Sequence, residues 1–170
     1  MAGGVLVAGI GNIFCSDDGF GPAVATRLLT GQAGVAMPPE VTVVDYGIRG
    51  MHLAYDLLDG VDLLVLVDAL PDRGNVGQVV VLEIGSDDVG AGAATGGEPA
   101  GSAVDAHGMD PTSVLTSLRA LGGTMPRTIL VGCEVADVDE GMGLSPAVEN
   151  AVGEAAGTVA AVLAREPEVA

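Results

Sequence analysis

Apolar residues in this chain fall into short unbroken runs separated by stretches of helical spacing, and that rhythm predicts alternating strands and helices. Val5 to Ile10 is a first strand, followed by a loop rich in Gly and Asp. Pro22 opens a helix through Ala23, Val24, Ala25, Leu28 and Leu29, since proline suits a first helical turn. Pro38-Pro39 bars continuation, and Val41 to Val44 is a second strand ending at Asp45. After a turn at Gly47 and Gly50, Met51, Ala54, Tyr55, Leu57 and Leu58 are spaced for the buried face of a short helix. Leu63 to Val67 is apolar without alternation, the pattern of a strand covered on both faces, and Asp68 closes it. Gln78 to Leu82 is a further strand.

The character then changes. Gly90 to Ala106 is dominated by Gly and Ala and cannot build a core. It reads as a flexible loop within a single domain spanning 1–170, either a lid or a tolerated insertion. Pro111 starts a helix with Val114, Leu115, Leu118 and Leu121 on one face, and Gly122-Gly123 stops it. Thr128 to Cys133 is a last buried strand, and Ser145-Pro146 caps a final helix that runs to about Arg165. The class is therefore α/β: a twisted, mostly parallel central sheet of about five strands with helices on both faces. In such sheets the ligand crevice lies beyond the carboxyl ends of the strands, where Asp18, Asp45 and Asp68 all fall.

Composition narrows the function. Hydrophobic residues make up 49% of the 170 positions and aromatics only 2%, so Val, Leu, Ile and Ala must fill the core. Apolar runs are far shorter than a membrane span needs, and no basic region precedes the first of them. A cytoplasmic protein with no membrane partner is expected. The formal charge is −17, and all six basic residues are Arg. That surface repels a phosphate backbone, so nucleic acid is excluded as a partner, while a cation or a basic protein surface fits. Solubility alone also accounts for such acidity. Cys15 and Cys133 form no CxxC pair, read as small apolar residues, and give no support to a disulfide.

The candidate chemistry lies in acids and one imidazole. Asp17 and Asp18 are adjacent, so one faces the crevice while the other caps the helix that follows; both could simply cap. Asp68 stands at the mouth of the sheet, where the crevice rule places it, or is paired inside, or is a turn residue before Pro71. His107, between the Gly/Ala loop and a helix, sits where functional residues concentrate, although an ordinary loop histidine would look the same. Neutral imidazole binds nickel and zinc well. Together Asp18, Asp68 and His107 offer two hard oxygen donors and one nitrogen to a divalent cation. Asp45 could touch substrate, orient a ligand, or be neutralised by Arg49. His52 reads as a surface or half-buried residue. There is no Gly-x-Ser-x-Gly elbow, no His-Glu-x-x-His helix and no Gly-Lys-Ser/Thr phosphate loop. Gly9-x-Gly11 with Asp45 suggests a dinucleotide fingerprint, but Phe14 stands where its third glycine belongs, and Asp17 and Asp18 would repel a pyrophosphate.

Several of these segments together resemble one family. Gly9-Ile10-Gly11-Asn12 through Asp17-Asp18-Gly19-Phe20-Gly21, then Asp45-Tyr46-Gly47-Ile48-Arg49-Gly50 and Val67-Asp68-Ala69, are similar to segments of the hydrogenase maturation proteases. So are His107 before a helix, Val131-Gly132-Cys133 and Gly143-Leu144-Ser145-Pro146-Ala147-Val148. These endopeptidases trim the C-terminus of the large subunit of nickel–iron hydrogenases. The resemblance covers nearly the whole chain and rests on order and spacing. It implies metal-contacting and catalytic roles for Asp18, Asp68 and His107, and substrate contacts at Asp45, Gly47 and Gly50. It implies nickel as the recognised ion, supplied by the large-subunit precursor, with zinc or cadmium able to substitute. The chain departs from the family at Asp18, where a Glu can stand, and through Arg49 in the turn after Asp45. Two other readings stay open: a nickel-binding chaperone without enzymatic activity, and a nucleotide-binding domain. Neither the hydrogenase processed nor an oligomeric state follows from the sequence.

Overall fold

The unbroken apolar runs form the middle of the sheet because each is covered twice. The computed structural model describes residues 3–32, 34, 36–89 and 110–166; the 90–106 loop and His107 lie outside the described residues. The strands are β1 (Val5–Ile10), β2 (Val41–Gly47), β3 (Leu63–Leu70), β4 (Val79–Ile84) and β5 (Arg127–Glu134), in the order β2-β1-β3-β5-β4. All pairings are parallel except that of the edge strand β4, which runs antiparallel to β5. The helices are α1 (Phe20–Leu29), α2 (Gly50–Leu57), α3 (Pro111–Ala120) and α4 (Pro146–Ala164). Val5 and Val7 of β1 pack into a core shared with α1 and α4, while Leu6, Ala8 and Ile10 pack into a second core with α2 and α3. Three layers result, and β1 shows no polar alternation because neither of its faces meets water. Among the described residues no helix is long and apolar enough to cross a membrane.

Element boundaries shift where tertiary partners extend a ladder. The second and third strands do not stop at their aspartates. β2 runs through Asp45 to Gly47, and β3 runs through Asp68 to Leu70, because β5 offers Gly132 opposite Asp68 and Glu134 opposite Leu70. A 3-10 turn at Ser16–Gly19 leads into α1, which begins at Phe20 rather than Pro22. Pro22 still lies in the first turn, where its missing N–H costs nothing. In α2 the buried face is Gly50, Leu53, Ala54 and Leu57; Met51, Tyr55 and Leu58, expected beside them, are exposed.

Two glycines let α1 rest directly on the sheet. A Cβ at Gly9 would meet the Gly21 carbonyl oxygen at 2.5 Å, and a Cβ at Gly21 would overlap the carbonyl oxygens of Ile10 and Val67. This close approach brings the start of α1, and the turn before it, over the carboxyl ends of β1 and β3.

Candidate functional site

The site begins where β1 gives way to a tight turn. Gly11 holds φ +142°, and a Cβ there would overlap the carbonyl oxygen of Asp18. This glycine thus accommodates the chain's own turn, and the room a pyrophosphate would need is filled by it. The Asn12 N–H donates to Asp18 Oδ2 at 2.8 Å, which fixes that carboxylate against the start of the loop.

Asp17 and Asp18 do diverge, but the former does not cap the helix that follows, since α1 has no side-chain cap. Fully buried, Asp17 instead holds Ser145, the residue that opens α4. The Ser145 N–H donates to Asp17 Oδ1 at 2.6 Å, and its hydroxyl donates to Oδ2 at 2.9 Å. The Asp17 N–H donates to the Asp137 carbonyl and the Ser16 N–H to the Gly141 carbonyl, each at 2.9 Å. The turn carrying Asp18 is thereby pinned to the segment between β5 and α4.

Asp68 is 8% exposed. Burial pushes its carboxyl well above the usual range, the charge of Asp18 adds to the rise, the Ala69 N–H opposes it, and the charge of Asp110 raises it further. The Ala69 N–H donates to Asp68 Oδ1 at 2.8 Å. Asp110 opens α3, accepting from the Ser113 N–H at 2.9 Å and the Ser113 hydroxyl at 3.0 Å. A desolvated carboxyl facing other acids holds a proton or takes up a cation. Hard oxygens in that setting suit a divalent ion. Among the described residues no three His, Cys, Asp or Glu side chains come together as a metal-holding group. Asp18 thus lies within electrostatic reach of Asp68, while the third candidate, His107, lies outside the described residues.

Asp45 belongs to the other side of the sheet. It shares its face with Val41 and Val43, which pack toward α1, whereas Asp68 shares its face with Leu64 and Leu66 beneath α2 and α3. Arg49 does not neutralise it: Nη2 donates to the Asp45 carbonyl at 2.6 Å and Nε to the Tyr46 carbonyl at 3.1 Å. The arginine clamps the backbone, and Asp45 Oδ1 is buried without a hydrogen-bond partner. Asp45 lines a cavity of about 450 Å³ with Pro22, Arg27, Leu144 and Glu149. It lines a second of about 270 Å³ with Gly11, Phe14, Gly47 and Ile48. Gly47 holds φ +55°, and its carbonyl accepts from the Gly11 N–H at 3.0 Å. Gly50 is buried in the first turn of α2, away from the lining of either cavity.

Thiol chemistry does not compete. Both cysteines are free, and burial together with Asp17 pushes the Cys133 thiol up to about 11. Sequence reasoning missed Asp110 and Ser145 as parts of this arrangement. Asp110-Pro111 carries a readable helix-start signal. Nothing in the sequence links Ser145 to an aspartate 128 positions away.

Residues 29–162 match a family model described as hydrogenase maturation protease. The hydrogenase 2 maturation protease of Escherichia coli K12 is 28% identical over 160 residues, covering 94% of this chain and 90% of that protein. The hydrogenase expression/formation protein HupD of Bradyrhizobium diazoefficiens is 27% identical over 161 residues, covering 94% and 78%. The solved structure of the hydrogenase maturating endopeptidase HybD from E. coli has a TM-score of 0.71 at 25% identity, with 95% of this chain and 92% of that one covered.

Proposed function

This chain belongs to the hydrogenase maturation protease family, and from that premise we propose that it removes a C-terminal peptide from the nickel-loaded precursor of a hydrogenase large subunit in the cytoplasm. The observation that carries the reading is the buried Asp68 facing Asp18 at the carboxyl end of the sheet. The charge of Asp18 disfavours ionisation of the buried Asp68 carboxyl, and a divalent ion relieves that conflict. The ion arrives with the substrate. Asp18, Asp68 and His107 engage it, and docking then depends on its presence. Nickel supplies Lewis acidity beside the peptide to be cut. Zinc or cadmium would occupy the same donors.

The chain's own groups do the positioning. The Asn12 N–H orients the Asp18 carboxylate, and the Asp17–Ser145 contact keeps its turn in place. Asp45 presents an unpartnered oxygen within two cavities and would accept a hydrogen bond from an extended substrate segment, with Gly47 forming the neighbouring wall. Gly50 would take part in substrate contact only through the buried first turn of α2.

Intact mass of the precursor after incubation with the purified protein tests this reading. Loss of a C-terminal peptide from nickel-loaded precursor, and none from nickel-free precursor, is expected. Equal trimming of both would remove nickel as the recognised feature. Binding of nickel-loaded precursor without any mass loss would make the protein a carrier rather than an endopeptidase. The His107→Ala variant should stay folded and leave the loaded precursor untrimmed.

A further inference from the structure

Helix α2 is apolar on two sides. One side, Leu53, Ala54 and Leu57, is buried against α3 and the sheet. On the other side Met51, Tyr55 and Leu58 follow one another at spacings of four and three along one stripe, and Ile48 stands in the turn just before the helix. Ile48, Met51, Tyr55 and Leu58 are 59%, 47%, 53% and 41% exposed, respectively. The polar residues of the helix, His52 and Asp56, lie four apart on a separate face, so its apolar arc runs from the buried side onto this exposed stripe. The chain has only two Phe and two Tyr; Phe20 and Tyr46 are buried, whereas Phe14 is 57% exposed and Tyr55 lies on this stripe.

The stripe is continuous with the cavity beside Asp45. Phe14 and Ile48 line the same cavity of about 270 Å³ as Asp45. From there Met51, Tyr55 and Leu58 lead away along the helix for roughly 10 Å. Charge points the same way. In a chain of net charge −17, residues 46–58 contain one carboxylate, Asp56, and it accepts from the Tyr46 hydroxyl at 2.7 Å. The remaining ionisable groups on α2 and the turn before it are Arg49 and His52. Exposed aromatics, methionine and arginine with few acids make the composition of a protein-binding centre rather than of a solvated face.

We infer that the stripe from Phe14 through Ile48, Met51 and Tyr55 is the docking surface for the folded body of the large-subunit precursor, gripping it through apolar contact while the segment to be cut enters beside Asp45. This rests on the proposed function for the identity of the occupant. The apolar stripe adds hold where that segment leaves the cavity lined by Phe14, Asp45 and Ile48. A second copy of this chain is the competing occupant.

Steady-state trimming of nickel-loaded precursor by the double variant M51A/Y55A tests the inference, with thermal melting as the check on folding. Both residues are exposed and away from the acids. KM should rise about tenfold or more with kcat unchanged, since truncating central aromatic contacts weakens binding by that order. An unchanged KM in a folded variant would overturn the inference. So would sedimentation showing that the wild-type protein is a dimer that M51A/Y55A dissociates. Binding of the precursor to the immobilised protein, read separately, keeps the two questions apart. If the wild type trims nothing yet binds precursor, and the variant binds at least tenfold more weakly, the function fails and the docking surface stands.

Discussion

Asp68 shows at the scale of one side chain how a site sets stability against chemistry. Its folded value is raised by burial and by Asp18, above 3.8 in the unfolded chain. From 3.8 upward the unfolded chain has released a proton that the folded chain still holds. Stability therefore falls as pH rises through that window and levels off above the folded value. Asn keeps an acceptor for the Ala69 N–H and carries no charge. Asp68→Asn is expected to raise metal-free stability at about pH 8 by on the order of 1 kcal/mol. The gain should vanish near pH 3, and nickel-dependent trimming should be lost. Urea unfolding at both pH values checks this; a variant less stable than wild type at the higher pH would contradict it. The residue is legible in the sequence as an acid after a buried strand, but its depth is not. Depth depends on β5 extending the ladder past it, which a one-strand pattern does not contain.

At the scale of elements, periodicity locates each strand and α-helix among the described residues, and errors fall at their ends. β1 and α3 match their apolar patterns closely, whereas β2 and β3 overrun their predicted ends because pairing continues after hydrophobicity stops. The exposed side of α2 is unreadable for another reason: apolar residues on both faces satisfy helical spacing equally well. Helical glycines make a sharp test of the packing. Gly21 lies against backbone carbonyls, whereas a Cβ on Gly157 of α4 meets nothing within 4 Å. Gly21→Ala should cost about 1–3 kcal/mol through overpacking. Gly157→Ala should add roughly 0.5–1 kcal/mol through helix propensity. Thermal melts of the two variants read both effects, and shifts of the same sign would show that α1 does not rest on the sheet as described.

For the molecule as a whole, the dominant electrostatic fact is like charge. Twenty-three acids face six arginines. Among the described residues, the ion pairs are those of Arg127 with Glu83 and with Glu166. Repulsion between the unpaired acids is screened by salt, since the Debye length shrinks from about 10 Å at 0.1 M to about 3 Å at 1 M. Raising sodium chloride from about 0.05 M to about 0.5 M should therefore lift the melting temperature by about 2–4 °C. A flat or falling curve would mean that local pairs outweigh the net field. The imbalance itself is legible in composition, because a count of charges needs no knowledge of the fold. Which acids meet is not legible there, because Asp18 and Asp68 are joined only through the sheet and Asp17 reaches Ser145 across 128 positions.

That last contact has a consequence in time as well as space. A ribosome delivers the turn with Asp18 well before the serine that braces it, 128 positions after Asp17. A fragment that stops short of Ser145 carries Asp17 and Asp18 without the clasp on their turn, so that turn is fixed only once the start of α4 has been made.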